Sequence, residues 1–422
     1  MESTTLFRVN LGSLWNHRDF RRLWFSDTVS QFGNTFTQTA LPVIAVLTFH
    51  ATTLALGILN AVAFSPYLVL GLFVGVWADR YRRRRIMIAC NLGRMLTLAT
   101  IPIAYLLGIF SFVQIFVVAL IQGVLSVFFD AAYQAYLPNL VERKDLIEGN
   151  QKLQLSASGA QVSGPGVAGL VYNAIGGAFT IAFDALGYFA SSLSLLSIDK
   201  REEKKTRSLQ DPPPDFFGEM REGIHVVIGN PILKRIAGST ATSNFGTSML
   251  GPAFVIFFFD YLHLSTVEYG FLGTIGALGF VVGALMTGRF TARLGVGLSL
   301  AISIASGFIA LVNPLAQYGY PFLVLSTVAF FGGLMGPMYN INQVSLRQAI
   351  TPNRLQGRMN ATMRTIVWGT IPIGAIVGGY LGGVIGVVNT LYLGAVVAGL
   401  ASLWIVLGPV VRIKNQPEPI VD

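Results

Sequence analysis

The chain has 422 residues, 53% of them hydrophobic and only 12% charged, with a mean hydropathy of +0.61. A soluble domain is about a quarter charged, so the composition excludes a soluble globular protein and puts most of the chain in hydrocarbon. One cysteine, Cys90, excludes an intrachain disulfide, and four scattered histidines give no pair at metal-ligand spacing, so no metal or other cofactor is expected.

The N-terminal segment lacks the short apolar core and cleavage site of a signal peptide. Six stretches without Lys or Arg follow, 23–79, 95–142, 153–199, 236–288, 294–346 and 365–411, each 47 to 57 residues long. A membrane-crossing helix takes about 20 apolar residues, so each stretch holds two crossings and a short outer loop. The expected spans are 20–48, 54–77, 86–107, 112–134, 150–172, 177–198, 236–260, 266–287, 297–313, 321–341, 361–383 and 388–411. All 29 Lys and Arg residues then fall on one side, which the positive-inside rule makes cytoplasmic. Both termini are expected inside, and the net charge of +9 reflects topology rather than a nucleic-acid partner. The polar stretch 199–231, with DKREEKKTRSLQDPPPD, cannot form a core. It reads as a cytoplasmic linker between two six-helix bundles, 1–198 and 232–422, and its segment GEMREGIHVV as a short amphipathic surface helix.

The chain repeats itself at an offset of 210 residues. Asn34, Thr37 and Pro42 match Asn244, Thr247 and Pro252; Gly123 matches Gly333; Asn150, Gly164, Gly169 and Gly176 match Asn360, Gly374, Gly379 and Gly386. Six spans separate equivalent positions, so the halves share one orientation. The expected fold class is therefore an all-α membrane protein of twelve transmembrane helices in two parallel six-helix repeats.

The run from Gly75 through Asp79, Arg80, Arg82, Arg83 and Arg84 (GVWADRYRRR) resembles the signature of the major facilitator superfamily, with Arg82 replacing its second glycine. GPGVAG, from Gly164 and Pro165 to Gly169, is similar to the glycine–proline helix-packing motif of the antiporter branch, although Ala160 and Gln151 replace the upstream glycines. The segments NHRDFRRLW, FDALGYF and GPMYNINQVSLRQAITPNRLQGRMNA resemble a bacterial and archaeal efflux subfamily that includes enterobactin exporters and macrolide-efflux permeases. The resemblance covers essentially the whole chain. It implies the major facilitator fold in the inner membrane of a prokaryote. It also implies a secondary transporter that exports a lipophilic or amphipathic small molecule, such as a drug or siderophore, by alternating access. A monomer is expected, with protons as the exchange partner. One departure bears on coupling: Ala119 stands before Gln122 and Gly123, where the superfamily's fourth span carries an arginine linked to protons.

Physical chemistry gives these residues separate work. Gly75 permits close helix packing, and Asp79 stands where it could face the positive end of another helix. With Arg80, Arg83 and Asp130 it reads as an ionic latch across the inner face of the N-terminal half. The alternative for the arginines at 82, 84 and 85 is a solvated topogenic anchor. The second half has Ala292, Val296 and Asn340 where the first has Asp79, Arg83 and Asp130, so the three are lost together.

In span one, Asp27, Gln31, Asn34, Thr35 and Gln38 share a helix face, and such a stripe should line a cavity rather than meet lipid. Asn244, with Thr240, Thr247 and Ser248, forms a milder face on span seven. Asp27 and Asp184 are the remaining intramembrane acids and candidates for the substrate and proton pathway. For Asp184 the alternative is a bond to a neighbouring helix. Arg94 is expected to snorkel to the cytoplasmic interface. An enzyme would need a nucleophile–base or metal constellation, and an ATP-driven pump a phosphate-binding loop; neither pattern occurs. An uptake symporter or facilitator for a small organic solute shares the fold, and only transport direction separates it from an exporter.

Overall fold

The structure, a computed structural model, describes residues 13–78, 81–142, 145–200 and 216–417. Helix occupies every segment expected to cross the bilayer, where a backbone can satisfy its polar groups only internally. The first group comprises α1 (Arg18–Phe49), α2 (Thr53–Ala78), α3 (Arg83–Leu106), α4 (Phe112–Leu140), α5 (Leu146–Ile175) and α6 (Gly177–Leu196). After α7 (Phe216–Gly229) come α8 (Pro231–Ile256), continued by a π-helical turn, and α9 (Thr266–Leu294). Next are α10 (Val296–Ala305), continued by a 3-10 stretch (Ser306–Tyr318), and α11 (Pro321–Ala349). The chain closes with α12 (Asn353–Val384), α13 (Val387–Leu400) and the short α14 (Ser402–Val406).

Among the described residues nine helical segments are long and apolar enough to cross a membrane, so this is an all-helical, multi-pass membrane protein. Helices α1, α5 and α8 fall outside that set although they run 32, 30 and 26 residues. Their polar side chains, not their length, keep them out. Several helices outrun the expected spans: α4 continues to Leu140, α11 to Ala349, and α12 already begins at Asn353. Hydropathy ends at the last apolar residue, but a helix continues while its backbone bonds do. Within the stretch read as a linker, α7 packs on α12, and Glu222 pairs with Arg358. Residues 201–215 of that stretch lie outside the described residues.

Helices α1–α6 pack chiefly on one another, as do α8–α14, and two extended crossings join the groups, α2 with α12 and α5 with α9. The internal repeat relates these crossings. A Cβ added to Gly169 would lie 3.1 Å from the Cα of Gly270, and one added to Gly379 would lie 3.1 Å from the Cα of Gly57. Both crossings therefore bring backbone onto backbone, a distance that only hydrogen at Cα permits.

The apolar cores show where the groups are joined. One core draws on both, with Ile44, Leu56 and Ile181 from the first and Phe258, Leu272 and Leu391 from the second. It lies at the end that carries the short turns around His50, Gly176, His263 and Gly386. At the opposite end two cores stand apart. Phe20, Leu23, Met87 and Leu140 belong to one, and Ile236, Leu300, Leu346 and Met359 to the other.

Candidate functional site

Two cavities are lined by polar side chains from several helices. One, of about 410 Å³, is lined by Asn34, Thr37 and Gln38 of α1, Asn60 and Tyr67 of α2, Gln122 of α4 and Asp184 of α6. Pro252 and Val255 of α8 and Tyr269 of α9 close it from the other group. The second, of about 610 Å³, lies wholly among α8 and α10–α13. Thr240, Asn244 and Thr247 line it from α8, and Asn340, Gln343 and Arg347 from α11. Both volumes fall in the range of sites for drug-sized molecules, roughly 300–1,000 Å³.

The stripe on α1 divides between different neighbours. Asn34 and Gln38 face the first cavity, whereas Thr35 packs against Gly164 of α5. Asp27 is buried, with Tyr133 and Gln31 as hydrogen-bonding neighbours and Asp130 close enough to act on its charge. Asp184 is also buried; Thr37 donates to one carboxylate oxygen, and the other has no partner. That second oxygen lies against Gly33, where a Cβ would collide with it, so the glycine makes room for the acid. Asn244 donates to the Val367 carbonyl at 3.2 Å, which ties α8 to α12 beside the second cavity.

Arg94 departs from expectation. It does not reach the interface but is buried, 5% exposed, with its guanidinium 4.7 Å from the Phe129 ring and 5.2 Å from the Tyr188 ring. Its charge acts on Asp130 and Asp184. Two aromatic faces and two carboxylates offer a cation more than a snorkelling path would. The sequence places an arginine on α3 where the superfamily pattern places one on the fourth span, and spacing alone does not show that the two helices turn toward the same acids.

Of the residues read as a latch, Gly75 lies in α2, Arg83 opens α3 and Asp130 lies in α4, where it accepts from Tyr67 at 2.9 Å. Asp79 and Arg80 lie outside the described residues. In the glycine–proline segment, Gly169 forms the crossing with α9, and Pro165 meets Gly273 of the same helix. Arg84 donates to the carbonyls of Leu195 and Leu196 at 2.8 and 2.6 Å, capping the C-terminal end of α6.

Outside the spans, Asp19 binds the chain as it leaves α6. It accepts from the backbone N–H groups of Asp199 and Lys200 at 3.0 and 2.9 Å and pairs with Arg22 at 2.9 Å. Burial pushes its carboxyl pKa up, but these donors outweigh burial and hold it below the ordinary 3.8.

Sequence reasoning missed the basic wall of the second cavity. Arg347 and Arg364 bound two of the stretches free of Lys and Arg, and so read as topogenic cations at or near the cytoplasmic helix ends. Both lie inside helices, α11 and α12, and both line the cavity. The available signal was helical spacing, since Asn340, Gln343 and Arg347 share one face.

A family profile described as "Transmembrane secretion effector" matches residues 13–418. The chain is 27% identical over 430 residues to the enterobactin exporter EntS of Citrobacter koseri, covering 98% of this chain and 97% of that protein. Among solved structures it is similar to a bacterial homologue of the iron transporter ferroportin in an inward-facing state. That match has a TM-score of 0.75 and 16% identity, with 93% of this chain and 98% of the other covered. It is also similar to the nucleoside transporter NupG, with a TM-score of 0.71 and 13% identity over 92% of this chain and 98% of that one. At these identities the two structures speak for the fold alone.

Proposed function

The chain belongs to the transmembrane secretion effector family of the major facilitator superfamily, a family of transporters and not of enzymes, and from that premise we propose that it is a secondary exporter of an amphipathic small molecule. The observation that carries this reading is the arrangement of the cores, fused at one end and separate at the other, around two polar cavities. Two groups hinged on glycine crossings can rock about them and expose a central site to each side in turn.

In this reading α1, α5 and α8 are also spans, giving twelve, and the groups are six-helix halves moving as units. The separated end carries the arginine-rich turns and faces the cytoplasm, so the arrangement is inward-facing, in the inner membrane of a prokaryote with both termini inside. Drugs and siderophores are the substrates of matching size and character, the enterobactin exporters being relatives. The protein works as a monomer. Protons are the coupling ion, and Asp27 is the acid that changes protonation, because its repeat counterpart is Ala237 and the fold's symmetry does not require it. Asp79, Arg80, Arg83 and Asp130 close the cytoplasmic side in the opposite state.

The test is accumulation of fluorescent dyes in inverted vesicles under an imposed pH gradient. Asp27→Asn should abolish gradient-driven transport and retain dye binding. Gradient-driven transport in that variant would remove Asp27 and turn attention to Asp184. Wild-type transport insensitive to an uncoupler would end the proton reading.

A further inference from the structure

The linings of the two cavities carry groups of opposite sign. Asp184 lines the first, with Arg94 acting on it from outside the lining, whereas Arg347 and Arg364 line the second with no carboxylate among its described lining residues. We infer that the second cavity binds an amphipathic organic anion that also carries a hydroxyl or amide donor. This rests on the transporter reading and specifies its substrate class.

The unsatisfied groups carry the inference. Buried polar atoms without partners are rare in native proteins, and each calls for an explanation. Three of them line this one cavity: Arg347 Nε, Gln343 Oε1 and Ser303 Oγ. Gln343 and Ser303 are 6% and 2% exposed, so bulk water does not satisfy them. Gln343 already donates its amide to Asn340 at 2.9 Å, and its remaining oxygen is an acceptor that calls for a donor on the ligand. Arg347 is the reverse case, a cation whose buried N–H lacks an acceptor. A guanidinium presents a planar fork of donors that fits a carboxylate or sulfonate.

Arg364 adds a second positive charge. Its guanidinium lies 4.8 Å from the Trp368 ring and 5.8 Å from the Tyr67 ring of the opposite group. Leu250, Ile304, Val328, Met335 and Met363 supply an apolar wall. The cavity therefore offers a cationic fork, a buried acceptor, an aromatic plane and a greasy surface. A cationic substrate would face two guanidiniums with no carboxylate among the described lining residues, Asp130 acting on Arg364 only from the opposite group, and a plain hydrocarbon would leave all three orphans unsatisfied.

The experiment compares two dyes with the same naphthyl frame, 1-anilinonaphthalene-8-sulfonate and the uncharged N-phenyl-1-naphthylamine. Binding is measured on the full chain in nanodiscs, with empty nanodiscs as reference. Wild type should bind the sulfonate saturably and more tightly than the neutral dye. Arg347→Gln should weaken the sulfonate ~10-fold or more, the scale of one charge-assisted hydrogen bond, while changing the neutral dye less than about twofold. Arg364→Gln, at an exposed position, should act in the same direction and serves if the first variant does not fold. Equal affinities in wild type, or an unchanged sulfonate affinity in the folded variants, would overturn the inference. So would full displacement of the dye by inorganic phosphate, which would mark a simple anion site.

Vesicle transport separates this inference from its premise. Arginine-dependent sulfonate binding without movement of any dye would sink the transporter reading and leave the site. Transport of the cation rhodamine 6G with no sulfonate binding would do the opposite.

Discussion

Asp19 and Asp184 are both carboxylates at the contact of α1 with the α6 segment, yet their surroundings give them different work. Asp184 has one hydroxyl partner and a bare oxygen beside Gly33, an environment suited to change. Asp19 is fully engaged, by two backbone N–H groups and a guanidinium. Held below 3.8, it stays charged in the folded protein where an unfolded-chain aspartate, at about 3.9, has begun to protonate. Its contribution is therefore complete above the unfolded value and is lost as pH falls through the lower folded one. Asp19→Asn should melt earlier than wild type at pH 7, and the gap should narrow on acidification below about pH 4. Asp19→Ala should cost about 1–3 kcal/mol at neutral pH by thermal unfolding in detergent, the value of hydrogen bonds to a charged group. A constant gap across acid pH would assign the effect to packing instead. At this scale the acids were easier to find in the sequence than the bases. An aspartate in an apolar run is conspicuous, whereas Arg94, Arg347 and Arg364 stand beside the ends of such runs and resemble topogenic charges.

Among the elements, the paired crossings rest on a few glycines, and α12 offers an internal control. A Cβ on Gly379 would lie 2.7 Å from the Thr53 carbonyl oxygen and 3.0 Å from the Leu54 Cα, while one on Gly383 would meet nothing within 4 Å. Gly379→Ala should destabilise the protein by about 1–3 kcal/mol, the usual cost of overpacking. Gly383→Ala, one turn along, should be neutral or stabilise by up to about 1 kcal/mol through helix propensity. Melting temperatures of the two variants decide the matter, and equal values would remove the crossing from the account. The glycine–proline segment was legible as a packing motif because small residues at helical spacing have few other uses. Its partner on α9 was not, since Gly270 and Gly273 sit among other glycines and only three dimensions select the pair. Helix ends were legible mainly on the short-turn side, where glycine and positive φ stop a helix sharply, as at Gly176 and Gly386. On the arginine-rich side the helices run on beyond their apolar residues.

The whole molecule is fused at one end and divided at the other, which makes its conformation measurable. Gln151 and Ala361 are exposed, occupy equivalent positions of the repeat and lie near the divided ends of α5 and α12. Spin labels at these two positions should report a long distance in the present arrangement and a shorter one when the halves close. If the acidic and basic residues after α2 stabilise closure, Asp79→Asn should shift the distribution toward the long distance by about 1–3 kcal/mol, the usual size of a coupled conformational bias. An unchanged distribution would leave the arginine run as an anchor alone.

The polarity of α1, α5 and α8 also has a consequence for biogenesis. During synthesis each helix meets the bilayer singly, before the neighbours that will cover its polar face exist. Each of the three is followed at once by a helix apolar enough to enter on its own, α2, α6 or α9. If the three cross the membrane as proposed, the unit that partitions into lipid is the hairpin rather than the helix, each polar helix entering together with its apolar successor.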